Sequence, residues 1–107
     1  MKEIDLVLHY SELLSLYSNL LSETQKEILE DYYLANLSVS EIAENRNISR
    51  AAVEDAIKKG KMKLDDYESK LGSLNTVEKI REIKSKVKDK EFISYLNEVE
   101  RSLKHGI

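Results

Sequence analysis

The sequence predicts an all-α protein: a helical bundle with a helix-turn-helix, continued by a C-terminal helical extension. Three observations carry this. The 107 residues contain no proline and only three glycines, with 35% charged and 41% hydrophobic side chains, a balance that favours helices over sheets. Apolar residues recur three and four apart along nearly the whole chain, the period of a helix with one buried side. Residues 38–57, SVSEIAENRNISRAAVEDAI, carry two capped helix starts around an asparagine-rich turn.

Residues 4–21 are expected to form the first helix. Leu6, Tyr10, Leu13, Tyr17 and Leu20 make one stripe, and Val7, Leu14 and Leu21 a second, widened by Leu8 and Leu16. A helix apolar on most sides is buried on most sides. Either the C-terminal residues Phe92, Leu96, Val99 and Leu103 fold back over it, or a second subunit covers it, so a homodimer is expected as one solution. Its tyrosines, at helical spacing among leucines, are core residues rather than base-stacking platforms.

Ser22 opens the next helix with Gln25 at capping-box distance. Ile28, Leu29, Tyr32 and Tyr33 supply its buried side, Glu23, Glu27, Glu30 and Asp31 its wet side, and Asn36 ends it. Ser38 then caps a short helix, with Glu41 three residues on and Ile42 and Ala43 buried. Ala43 is small enough to let a second helix cross closely. Asn45, Arg46 and Asn47 break this helix, because asparagine tolerates left-handed backbone. Ile48 plugs the core, and Ser49 caps the second helix of the motif. Val53 and Ile57 of that helix pack on Ile42, Ile48 and Ile28 or Leu29.

No break signal stops this helix before Leu71. Val53, Ile57, Gly60, Leu64, Tyr67 and Leu71 repeat as a heptad-like seam, with Gly60 admitting a bulky neighbour or a close helix crossing, or else acting as a hinge. Gly72 and Ser73 stop it, and Asn75 with Glu78 restarts the chain as a helix. Val77, Ile80, Ile83 and Val87 form one stripe. Asp89 and Lys90 mark a turn or a kink, and Phe92, Leu96, Val99 and Leu103, with Ile93 beside them, form the last stripe. The chain thus divides into a helix-turn-helix domain over residues 1–72 and a helical hairpin or arm over 73–107.

Cysteine is absent, which excludes disulfides and thiolate metal sites, and no apolar run is long enough to span a membrane. The start MKEIDLVLHYSE is no signal peptide, so a cytoplasmic protein without membrane insertion is expected. No phosphate loop, nucleophile motif or metal-ligand spacing occurs, and His9 and His105 lack ligand-like partners. The adjacent acidic pairs Glu30–Asp31 and Asp65–Asp66 point about 100° apart on a helix and do not face one site. The chain is not expected to be an enzyme or to hold a cofactor or metal.

The net charge of −3 is unevenly spread. Residues 1–49 hold nine acidic and three basic side chains; residues 50–63 hold five basic and two acidic ones. Arg50, Lys58, Lys59, Lys61 and Lys63 lie on the second helix of the motif, the element that enters the major groove in nucleic-acid readers. They are the candidate nucleic-acid contacts, with Ala51 and Glu54 facing the groove. The alternative is a solvated helix face. Two carboxylates, Glu54 and Asp55, oppose phosphate binding unless one accepts from a cytosine amino group.

Residues 22–71 resemble region four of bacterial sigma factors, a helical domain ending in a helix-turn-helix that reads promoter DNA. The tyrosine-rich first helix, the run LEDYYLANLSVSEIAE and the ending DDYESKLG resemble the YlxM-like family of helix-turn-helix proteins over the whole chain. That resemblance implies a role in, or regulation of, the signal recognition particle pathway, since members are commonly encoded beside the particle's GTPase. Where the family has Leu-Gly at the turn, this chain has Arg46-Asn47. Arg46 must therefore lay its stem over the core and send its head to water, or the helix ends early. The expected function is a nucleic-acid-binding regulatory or accessory protein, its ligand DNA or RNA, with signal recognition particle components as partners. The competing reading is a protein-interaction module on the same scaffold with no DNA binding.

Overall fold

The computed structural model describes residues 2–105, leaving Met1, Gly106 and Ile107 outside the described residues. Among the described residues six α-helices follow one another: α1 (Ile4–Tyr17), α2 (Glu23–Tyr33), α3 (Val39–Arg46), α4 (Arg50–Leu71), α5 (Ser73–Lys86) and α6 (Lys90–His105). A short 3₁₀ turn, Ser18–Leu20, closes α1, and there are no strands among the described residues. The fold class is all-α, as the period of the apolar residues requires.

Helix α4 is the spine, packed on α1, α2 and α3. Tyr10, Leu13, Leu14, Tyr17, Ile28, Leu29, Ile42, Val53, Ile57 and Leu64 are buried in one core. Gly60 is buried where α4 meets α2. A Cβ on it would run into Leu29 Cδ1 and stand 3.1 Å from Leu29 Cγ. Gly60 thus admits a bulky neighbour, Leu29, rather than acting as a hinge, and α4 runs through it as one helix. The tyrosines of α1 are core residues. Tyr10 stacks on Tyr33 with ring centroids 5.3 Å apart, and its hydroxyl donates to Asp65 Oδ2 at 3.1 Å.

Several expected positions differ. Residues 18–20 form a 3₁₀ turn rather than continuing α1, and Leu20 is exposed there. Leu6 and Leu8, in the first turns of α1, also face outward. Ile48 does not plug the core: it is 39% exposed, because Ile42 and Val53, both at 0%, already fill the space between α3 and α4. Leu71, at the far end of the seam, is 56% exposed.

One carboxylate organises the junction with the C-terminal half, whose Leu74 and Val77 are buried in the core. Helix α5 begins at Ser73, two residues before the expected restart, with Gly72 left-handed at φ 64° as the shared junction. Its first amides are capped from the preceding helix. Glu68 accepts from the Leu74 N–H at 2.9 Å and the Asn75 N–H at 3.1 Å, and from the Tyr17 hydroxyl at 2.7 Å. The Ser73 N–H donates to the same tyrosine oxygen at 3.0 Å. Asp89 marks a turn, its carboxylate accepting from the Glu91 and Phe92 amides at the start of α6. Ion pairs from Arg81 to Glu12 and Glu100 tie α5 to α1 and α6. The fold-back over α1 is partial. Leu103 packs against the core, while Phe92 and Val99 stay exposed.

Candidate nucleic-acid interface

The helix-turn-helix consists of α3, a three-residue turn and α4. Ser38 and Glu41 form a reciprocal capping box: the Ser38 hydroxyl accepts from the Glu41 amide at 3.1 Å, and Glu41 accepts from the Ser38 amide at 3.0 Å. Helix α3 runs through Asn45 and Arg46, and only Asn47 breaks it, at φ 54°. The Asn47 N–H bonds to Glu44 and the Ile48 N–H to Ala43, the double closure of a left-handed helix end. Ser49 then accepts the Ala52 amide at 3.0 Å and starts α4.

The helix does not end before Arg46, and the Arg46 side chain is largely covered, but its head does not go to water. Arg46 is the last residue of α3, and its guanidinium reaches back to α2, 2.9 Å from Glu27 and 2.8 Å from Asp31. Two members of the expected wet face of α2 thus hold the turn, and the pairing raises the guanidinium's pKa above its ordinary value, chiefly through Asp31. On the opposite side Lys2 closes the α2–α3 loop. Its ammonium donates to the carbonyls of Tyr32 and Leu37 and lies 3.9 Å from the Tyr32 ring centroid. Burial lowers its pKa, with Glu41 pulling the other way. A lysine ahead of the first helix cap carries no signature that could have announced this clamp.

The seven candidate contacts are not one face. At about 100° per residue, Arg50, Ala51, Glu54, Lys58 and Lys61 fall within an arc of roughly 100° on one flank of α4, whereas Lys59 and Lys63 lie about 100–140° beyond Lys58. The contacts agree with this rotation. Lys61 sits 5.0 Å from the Tyr10 ring of α1, and Lys63 donates to Gln25 of α2 at 2.9 Å. Lys59 is 3.0 Å from Asp55, one turn back. Arg50 and Lys58 are exposed and have no ion pair among the described residues, and Ala51 and Glu54 are exposed beside them. Lys61 and Lys63 belong to the fourth turn of α4, roughly 16–20 Å along the axis from Arg50.

A groove of about 400 Å³ runs beside this flank, floored by Tyr10, Tyr32, Val39 and Ile57 and edged by Glu54, Lys58, Lys61 and Asp65. Its charges are balanced, two of each sign. No group of three or more metal-ligating side chains occurs among the described residues, and none of their helices is long and apolar enough to cross a membrane.

The family model described as "Putative helix-turn-helix protein, YlxM / p13 like" matches residues 4–105. A UPF0122 protein of Malacoplasma penetrans is 43% identical over 100 residues, covering 94% of this chain and 92% of its own. One from Fusobacterium nucleatum is 53% identical over 68 residues, covering 64% of this chain and 66% of its own. One from Halalkalibacterium halodurans is 40% identical over 86 residues, covering 80% and 79%. With the capped α3–turn–α4 unit in place and a match spanning nearly its whole length, the chain belongs to the UPF0122 family of YlxM / p13 like helix-turn-helix proteins.

Proposed function

We propose that the protein is a nucleic-acid-binding regulatory or accessory protein in which the first turns of α4 meet the ligand. The observation that carries this reading is the division of labour along α4. Val53 and Ile57 lock the helix into the core, while Arg50, Ala51, Glu54 and Lys58 are exposed on the flank beside that buried stripe. Arg50 and Lys58 are about 12 Å apart along the axis and suit two phosphates. Lys59 joins them only by leaving Asp55. Lys61 and Lys63 serve as distant contacts on opposite sides. Ala51 offers a base only a methyl group, and Glu54 accepts from a cytosine amino group at most, so sequence discrimination is modest. The resemblance to YlxM-like proteins supports a place in the signal recognition particle pathway, with its components as partners.

The test is a pair of titrations, with mixed duplex DNA and with structured RNA, at several salt concentrations. Two neutralised phosphates give a log–log salt slope of about −2 on duplex DNA. Arg50→Ala with Lys58→Ala should flatten it, and Glu54→Gln should tighten binding. No binding to either ligand at low salt removes this reading. The protein-interaction alternative would then lead, supported by the outward Ile4 and Leu8 of α1, which are 74% and 60% exposed. On that alternative, Leu8→Asp abolishes partner binding while the α4 variants leave it intact.

A further inference from the structure

A polyanion alone calls for positive charge, yet the groove beside α4 is edged by both signs. Glu54, Lys58, Lys61 and Asp65 follow one another four, three and four residues apart, so they form one row along the rim, within about 60° around the axis. The row reads acid, base, base, acid. Its two acids are not equally free. Asp65 already accepts from the Tyr10 hydroxyl at 3.1 Å, whereas Glu54 is exposed and has no ion pair among the described residues. Lys61 is half-buried, its ammonium 5.0 Å from the Tyr10 ring centroid, so it leans into the groove. Behind the row the floor is apolar, and Met62 adds an adaptable, exposed thioether beside it. The volume of about 400 Å³ lies at the small end of the roughly 300–1,000 Å³ that ligand sites occupy, which suits a single nucleotide.

We propose that this groove holds one unpaired guanosine of the bound strand. The proposal rests on the nucleic-acid reading of α4 and names what that face selects. The pairing edge of guanine carries two adjacent donors, N1–H and the N2 amino group, and a carboxylate accepts both through its two oxygens. Adenine and cytosine present one amino group there beside an unprotonated ring nitrogen that a carboxylate repels. Uracil presents one N–H between two carbonyls. In a duplex this edge is taken up by the opposite strand, and the cytosine amino group is all that Glu54 can meet. An unpaired guanine gives it two donors at once. Lys58 stands one turn, about 6 Å, along the axis from Glu54, and Lys61 about 4.5 Å further. Side chains three residues apart are neighbours on a helix, so the two ammonium groups can share one phosphate. A free carboxylate and a lysine pair at this separation match the base and the phosphate of the same nucleotide, and the apolar floor receives the face of the base.

Fluorescence anisotropy at low salt tests it on the full chain, with RNA hairpins that differ only in one bulged nucleotide. The guanosine bulge should bind more tightly than the same hairpin without a bulge. Adenosine in the bulge should cost about tenfold to hundredfold, and inosine, which keeps N1–H and lacks the amino group, should cost less. Glu54→Gln, a change at an exposed position, should bring the guanosine bulge down to the adenosine level. The same change should tighten the bulge-free hairpin, where the carboxylate only repels phosphates. Asp65→Asn should leave the guanosine preference in place. No binding to any hairpin removes the nucleic-acid reading and this proposal together. Equal binding of guanosine and adenosine bulges overturns the proposal alone, and so does a Glu54→Gln variant that tightens both hairpins alike. Guanosine monophosphate that displaces the hairpin at equal concentration also overturns it, since the groove would then take the free nucleotide rather than the strand.

Discussion

Replacing Glu68 by alanine should loosen the C-terminal half from the helix-turn-helix unit. The Glu68 carboxylate is the acceptor for three donors: the Tyr17 hydroxyl at 2.7 Å and the Leu74 and Asn75 amides at 2.9 and 3.1 Å. The two amides are unpaired first-turn donors of α5, and losing such a cap costs about 0.5–2 kcal/mol. Tyr17 is 0% exposed, so its hydroxyl proton would lose its acceptor in a buried site, costing about 1–3 kcal/mol. Together the loss is about 2–4 kcal/mol. For a chain of this size that lowers Tm on the order of 10–20 °C. Glu68→Gln keeps one acceptor oxygen and should lose about half as much. Thermal unfolding followed by circular dichroism measures the shift, and hydrogen exchange at the Leu74 and Asn75 amides locates it. Tyr17→Phe removes the same contact from its other side, so the double variant should cost clearly less than the two single losses added. A Tm within about 2 °C of the wild type for Glu68→Ala, or strict additivity with Tyr17→Phe, would refute the reasoning.

Three further outcomes follow from the geometry. Val53→Asp puts a carboxylate without a partner at a position 0% exposed between α3 and α4; it should cost several kcal/mol in chemical denaturation, a large share of a small domain's ~5–15 kcal/mol. Gly60→Ala gains about 1 kcal/mol of helix propensity but drives a methyl into Leu29; the overpacking cost of about 1–3 kcal/mol should win, and Leu29→Ala beside it should relieve the clash. Burial raises the pKa of Tyr10, Tyr17 and Tyr33, so folding binds these protons more tightly than the unfolded chain does. The stability they contribute is complete below pH ~10, the unfolded value, and is lost as pH rises further; in an alkaline titration read by tyrosinate absorbance, these three should ionise at higher pH in the folded protein than after denaturation.

Much of the helix-turn-helix was legible because its signals are local. The Ser38–Glu41 box and the Ser49 cap act within three residues, and a left-handed asparagine needs only its own side chain to be permitted. Ala43, Val53 and Ile57 are buried as their spacing demands. Ile48 misled because hydrophobicity names a candidate for the core without saying whether space remains, and Ile42 had already taken it. The start of α5 was misplaced because its cap comes from Glu68 rather than from a residue at the usual N-cap position. The cationic patch was legible as composition but not as a surface. Asp55, Gln25 and the Tyr10 ring each draw one lysine away, and helical rotation divides the rest.

By itself, the sequence determined the helical class, the place of the motif, the continuity of α4 and the family resemblance, because period, caps and glycine act through the few residues next to them. Only the tertiary structure decided what meets across 15 to 70 positions of chain: Arg46 with Glu27 and Asp31, Lys2 with the α2–α3 loop, Tyr17 with Glu68, Glu12 with Arg81. Such partners depend on how helices cross and rotate, which follows from packing the whole core at once, and no window of sequence contains it. The same reason places Phe92 and Val99 outside. Their stripe announces a buried side, and only the assembled bundle reveals that one chain cannot bury it all.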